Sequence, residues 1–223
     1  MNPTLLILAD GRFPAGGHAH SGGVEAAVKA GRVHDPVTLQ AFCAGRLHTT
    51  GLTCAALAAA AAAGLPPLEL DDAADARTPA PALRATSRRL GRQLIRAART
   101  VWPDPALDRL AADRPRGAHQ PVVLGLTATA AGLTPADAAT AAAYESVSGP
   151  VTAGVRLLGL DPFQATAVLA RLAPELRRIA DAATAAADAA RSEGLDALPA
   201  AAAPLLDLYA EQHAAWAVRL FAS

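Results

Sequence analysis

Lysine is almost missing from this 223-residue chain: Lys29 is the only one, and arginine carries nearly all of the positive charge. With so much alanine beside it, this pattern reads as codon bias and carries no functional weight. Net charge is missing as well, since Lys+Arg and Asp+Glu both number 20. A balanced chain exerts no general pull on nucleic acid or on an anionic membrane. Cysteine is scarce. Cys43 and Cys54 lie among apolar residues and neither has a CxxC partner, which reads as two reduced core thiols in a cytosolic protein. No basic segment leading into an apolar run opens the sequence, so no export signal is expected. Long hydrophobic runs are absent too. The longest, Cys54 to Ala63, is mostly alanine and falls well short of the roughly 20 residues that a membrane span needs. Alternating β-branched strand patterns are missing, and no internal repeat is visible.

What is present is helix punctuation. Asp35-Pro36, Thr78-Pro79, Asp104-Pro105, Thr134-Pro135 and Asp161-Pro162 each pair a good N-cap with a proline at the first helical position. Helical periodicity follows them: Leu39, Phe42, Cys43 and Leu47 share one face, as do Leu83, Leu90, Leu94, Ile95 and Val101, and as do Phe163, Val168, Leu169, Leu172, Leu176 and Ile179. Gly64-Leu65-Pro66-Pro67 and Trp102-Pro103 read as stops, and Gly132 as a C′ glycine. Pro150 should break or kink the helix carrying Tyr144. Leu65 to Ala82 reads as a long surface connection, and Ala112 to Gln120 as a second irregular stretch. The fold expected is one all-α domain over residues 1–223, with roughly eight to ten helices.

The stretch from Asp10 to Glu25 is rich in glycine and runs into Ser21, a candidate N-cap. It matches neither a phosphate-binding loop nor a dinucleotide fingerprint, because no Gly-Lys-Ser/Thr follows and no strand precedes it. His18 and His20 could touch a metal only from an extended loop, since a spacing of two on a helix points the rings apart. The plainer reading is a surface histidine beside a hydrogen-bonded one. His34, His48, His119 and His213 are scattered singly, as packed histidines usually are. Arg84, Arg88, Arg92, Arg96 and Arg99 form a basic stripe on one helix. It is either a solvated face paired with Asp71, Asp72 or Asp75, or a docking face for an acidic protein. Nothing beside it supports nucleic acid.

Several segments in order resemble the UreF family of urease accessory proteins. They are Leu5 to Asp10, Phe13-Pro14, Gly16, His20-Ser21 and Gly23-Val24-Glu25; then Ser87-Arg88-Arg89-Leu90-Gly91-Arg92, His119-Gln120-Pro121-Val122-Val123-Leu124-Gly125 and the run from Ser148 to Leu157; then Gln164, His213 and the closing Arg219-Leu220-Phe221-Ala222-Ser223. No single element is specific, but the ordered set spans nearly the whole chain. The resemblance implies a non-catalytic docking subunit without a cofactor. It would act with a UreD/UreH-type accessory protein and a UreG-type GTPase on apo-urease during nickel delivery. It also implies a homodimer, with a face around Tyr144 and Arg156.

The partner-binding residues expected are therefore His20, Ser21, Glu25, Tyr144, Arg156, Gln164, Arg219, Leu220, Phe221 and Ser223. His20 and Glu25 fall where glycine content suggests little packing demand. The tail, with Leu220 and Phe221 beside Arg219, has the composition of an interface anchor awaiting a partner. The alternative for Phe221 is closure of the chain's own core. Two other function classes compete: an all-α enzyme with an unrecognised His/Asp site, and a helical nucleic-acid-binding regulator. The first would carry a perturbed histidine in a deep pocket; the second would bind with steep salt dependence.

Overall fold

The computed structural model describes residues 2–223. All regular structure among them is helical. The elements are α1 (Pro3–Leu8), α2 (Val24–Lys29), α3 (Pro36–Arg46), α4 (Leu52–Ala62), α5 (Pro67–Ala76), α6 (Pro81–Val101), α7 (Pro105–Asp113), α8 (Gln120–Ala130), α9 (Pro135–Leu158), α10 (Pro162–Glu193) and α11 (Pro204–Ala214). A π-helical segment, Leu47–Gly51, joins α3 to α4, so the two run on as one rod. None of the helices is long and apolar enough to cross a membrane.

The core is built on alanine. α4 has no polar face: Thr53 and every residue from Ala55 to Ala61 are buried. A helix apolar all round must be covered on all sides, and α4 packs against α8, α9 and α10. Small side chains let these helices approach closely. A Cβ on Gly125 of α8 would lie 2.2 Å from the Ala58 carbonyl oxygen of α4. α6 is amphipathic. Gly91, Leu94, Ile95, Ala97 and Ala98 face inward, onto α8, while most of its arginines face out.

Four of the five Asp/Thr-Pro signatures start helices. Asp35, Asp104, Thr134 and Asp161 each accept a backbone N–H at the N-terminus they cap. Thr78 does not. Its hydroxyl donates back to the Ala74 carbonyl at 2.8 Å, and α6 starts at Pro81 behind an Ala80 cap. Leu65 to Ala82 is likewise no surface connection. It contains α5, with Leu70, Asp71, Ala73 and Ala74 buried.

Pro150 does not end α9, which continues to Leu158. Proline removes the N–H that would bond the carbonyl of Ser146. Arg46 replaces it, its Nε donating to that carbonyl at 2.9 Å from the neighbouring rod. Gly132 does sit in the left-handed position after α8, at φ 71°, and Leu133 N–H closes back onto the Ala128 carbonyl at 2.8 Å, as a helix-ending glycine motif requires.

Candidate functional site

Two polar clusters gather most of the residues singled out in the sequence. The first joins the glycine-rich segment to the C-terminal run. Gly16, Gly22 and Gly23 all have positive φ, which lets the segment double back before α2 begins. Ser21 is fully buried; its Oγ accepts from the Glu25 N–H at 3.3 Å and donates to the Ser223 backbone oxygen at 2.9 Å. That oxygen also accepts from Ser21 N–H at 2.7 Å, while Ala222 N–H donates to the Ala19 carbonyl at 2.8 Å. His20 Nδ1 lies 2.6 Å from Ser223 Oγ.

Glu25 is the centre of this cluster. It sits in the first turn of α2 and is only 8% exposed. Its carboxylate accepts from His213 Nε2 at 2.7 Å, Leu220 N–H at 2.6 Å and Phe221 N–H at 3.1 Å. Burial pushes this acid up, but those three donors outweigh it and hold it below the ordinary carboxylate value. Burial, helped by the neighbouring Arg89 and His18 charges, brings the His20 imidazole down to about 4, so it is neutral at physiological pH. Trp216 completes the wall, its ring 4.8 Å from His213 and 3.8 Å below the Lys29 ammonium.

The structure thus corrects two expectations. Glu25 does not lie where packing demand is low; it is an internal pin. The tail is not left free. Phe221 is 5% exposed and belongs to the chain's own core, with the Arg156 guanidinium 5.1 Å from its ring centre. Leu220 beside it is 52% exposed, and Arg219 is exposed as well. Tyr144 and Gln164 are not brought into this cluster: Tyr144 is half-buried on α9, and Gln164 is exposed in the first turn of α10.

The second cluster ties α5, α6 and the irregular stretch before α8 together. Asp71 is fully buried and accepts from Arg88 Nη1 at 3.0 Å, Arg114 Nε at 2.7 Å and His119 N–H at 2.6 Å. His119 Nε2 meets Asp75 Oδ1 at 2.9 Å, and its Nδ1 meets Ser87 Oγ at 3.0 Å. A serine, a histidine and an aspartate in line suggest a nucleophile relay. Two facts argue for architecture instead. Ser87 Oγ already accepts from Gln120 N–H at 3.1 Å, and the His119 ring is 1% exposed. Burial holds that ring below the usual imidazole value even though Asp75 favours its charged form. Gly91 belongs to the same device. A Cβ there would meet the Ala118 carbonyl oxygen at 2.0 Å, so only glycine lets this stretch cross α6 so closely.

The aspartates expected to neutralise the arginine stripe reach only one of its members. Arg88 pairs with Asp71 and Asp75, while Asp72 pairs with Arg114. Arg84 donates to the carbonyls of Thr78 and Pro79. Arg99 has Asp108, at 2.6 Å. Neither Arg92 nor Arg96 has a carboxylate partner among the described residues. His18 is exposed, and no group of three metal-ligating side chains gathers among the described residues. Sequence reasoning did not pair Glu25 with His213, which lie 188 residues apart. An acid in one motif and a histidine in another, with no other partner in sight, were the available signal.

Comparison with known proteins fits these observations. A family model described as UreF matches residues 33–173. The chain is 43% identical to a urease accessory protein UreF of Mycolicibacterium vanbaalenii, over 99% of this chain and 98% of the relative. It is 44% identical to proteins of the same description from Mycobacterium sp. (strain JLS), over 99% and 98%, and from Mycobacterium tuberculosis, over 94% and 92%. An all-helical body with similarity of this extent defines a urease accessory protein. Within that class, the chain belongs to the UreF family.

Proposed function

We propose that this chain is a urease maturation factor that works by docking rather than by catalysis. Together with a UreD/UreH-type partner it recruits a UreG-type GTPase to apo-urease in the cytoplasm and modulates GTP-dependent nickel delivery, nickel being cargo. The observation that carries this reading is the near full-length similarity to urease accessory proteins. The architecture is consistent with it, because the buried polar side chains of both clusters hold segments of the chain together.

In this reading the partner-facing parts are those that the closed tail leaves outside. Leu220, Arg219 and Val218, which is 87% exposed, would meet the UreD/UreH-type protein. His20, Ser21, Glu25, Phe221 and Ser223 would shape that surface from beneath. Tyr144 and Arg156 lie on α9 and Gln164 on α10, next to Phe163 at 85% exposure, and these residues would form the homodimer face.

Reconstitution tests this. Apo-urease, the GTPase, the UreD/UreH-type partner, nickel and GTP are combined with and without the chain, and urease activity is followed. Activation that needs the chain is expected. Equal activation without it, or hydrolysis of GTP by the chain alone, would overturn the reading.

A further inference from the structure

We propose that the cleft between α6 and α7 receives an acidic amphipathic helix of a partner protein. This rests on the docking function above and adds a place and a chemistry to it. The cleft has a volume of about 920 Å³, and it is lined by five arginines but only two aspartates. In a chain with no net charge, that is a local concentration of one sign.

The aspartates leave most of the positive charge standing. Asp104 caps α7, accepting from Ala106 N–H at 2.7 Å, and Asp108 is paired with Arg99. Arg114 is held by Asp71 and Asp72. Arg89, Arg92 and Arg96 line the cleft, all three exposed and none with a carboxylate partner among the described residues. Arg92 is aimed by a bond of 2.8 Å from its Nη1 to the Arg116 carbonyl.

Spacing and floor describe the occupant. From Arg89 to Arg96 the helix rises about 10 Å, and the intervals of three and four keep the side chains on one face. A helix bearing carboxylates at the same intervals meets each guanidinium fork with a carboxylate. Ile95, Ala111, Pro103 and Pro115 lie between and below the charges. That apolar floor suits an amphipathic segment rather than a bare polyanion. Nucleic acid fits less well, because no aromatic ring lines the cleft for base stacking. The cleft also adjoins the first cluster. The Gln93 side chain, on its rim, packs against Gly16, and the Arg89 charge is felt at His20.

The experiment compares the full chain with Arg89→Glu, Arg92→Glu, Arg96→Glu combined, and with a control reversing Arg177 and Arg191, both exposed on α10. Affinity is measured by titration against each of the three proposed partner proteins, with circular dichroism as the check on folding. Two competitors are added: a glutamate-rich amphipathic helical peptide and a single-stranded DNA oligonucleotide. The triple reversal is expected to weaken one partner more than tenfold, and the control to stay within twofold. The peptide should compete and the DNA should not. If all partners bind the folded triple variant within twofold of wild type, or if the DNA competes as well as the peptide, the cleft assignment is overturned while docking itself stands. If no partner binds the wild-type chain, both fall.

Discussion

A single carboxylate can hold a chain terminus only if its burial is compensated, and Glu25 meets that condition with three donors. Removing it strands the His213 N–H and two backbone N–H groups in a site with little water. Each stranded buried donor costs about 1–3 kcal/mol. Glu25→Ala is therefore expected to destabilise the protein by about 3 kcal/mol or more, measured by urea denaturation. It should also speed hydrogen exchange at the Leu220 and Phe221 amides. Unchanged exchange there would mean that the tail is held by other contacts. The sign with pH follows from the depressed folded-state acidity. The stabilisation is present above the ordinary glutamate value of 4.5 and is lost as pH falls through the lower folded value. Glu145 behaves oppositely. Burial raises it to about 7, against the hydrogen bond from Gln120, so the folded state binds the extra proton and stability falls as pH rises from 4.5 to 7. The residue is half-buried, so solvent screening reduces this to about 1 kcal/mol. Glu145→Gln should then raise Tm at pH 8 by about 2–4 °C and leave it unchanged at pH 4. Equal shifts at both pH values would show that charge is not the cause.

At the scale of elements, helix starts were legible wherever the cap acts locally. Asp35, Asp104, Thr134 and Asp161 need only the next three residues to do their work, and the sequence contains those residues. Thr78 failed because a second proline, Pro81, offered a later start, and the Thr78 hydroxyl was drawn back to the preceding turn. α5 was hidden because its surroundings look like a linker: Pro66 precedes it, Pro67 opens it, and Pro79 and Pro81 follow it. Its buried Asp71 looked like a surface acid, and its partners Arg114 and His119 N–H come from more than 40 residues away. The continuation of α9 past Pro150 was hidden for the same reason, since the group that meets the Ser146 carbonyl is Arg46, 100 residues away. This makes a coupling measurable. Arg46→Met alone leaves that carbonyl unpaired and should cost about 1–3 kcal/mol. With Pro150→Ala the backbone N–H returns, and the Arg46 substitution should cost less. A double-mutant cycle is expected to give a coupling of about 1–2 kcal/mol; additive effects would show that the carbonyl is satisfied some other way.

At the scale of the whole molecule, the sequence carried the motifs but not their meeting. The ordered segments pointed to the right family, whereas the distribution of buried and exposed residues within the tail appeared only in three dimensions. Nothing in Arg219-Leu220-Phe221-Ala222-Ser223 says which apolar residue faces inward; Glu25, by accepting from the Leu220 and Phe221 N–H groups, sets that orientation. The two residues therefore separate core from interface. Phe221→Ala empties a buried aromatic site, a change that typically costs about 3–5 kcal/mol. In a protein of this size that is a fall in Tm of about 10 °C. Leu220→Ser, at a position already 52% exposed, should move Tm by less than about 2 °C. If the tail serves both the core and a partner, the two variants part in opposite ways. Leu220→Ser should weaken the UreD/UreH-type partner about tenfold or more in a folded protein, the usual range for truncating an apolar anchor. Phe221→Ala should weaken the same partner only as far as the tail is released, and binding should recover at low temperature, where the fold is restored. Thermal melts paired with titrations at 10 °C and 25 °C read both effects. Full binding by Leu220→Ser at both temperatures would place the partner surface elsewhere and leave the tail purely as part of the core.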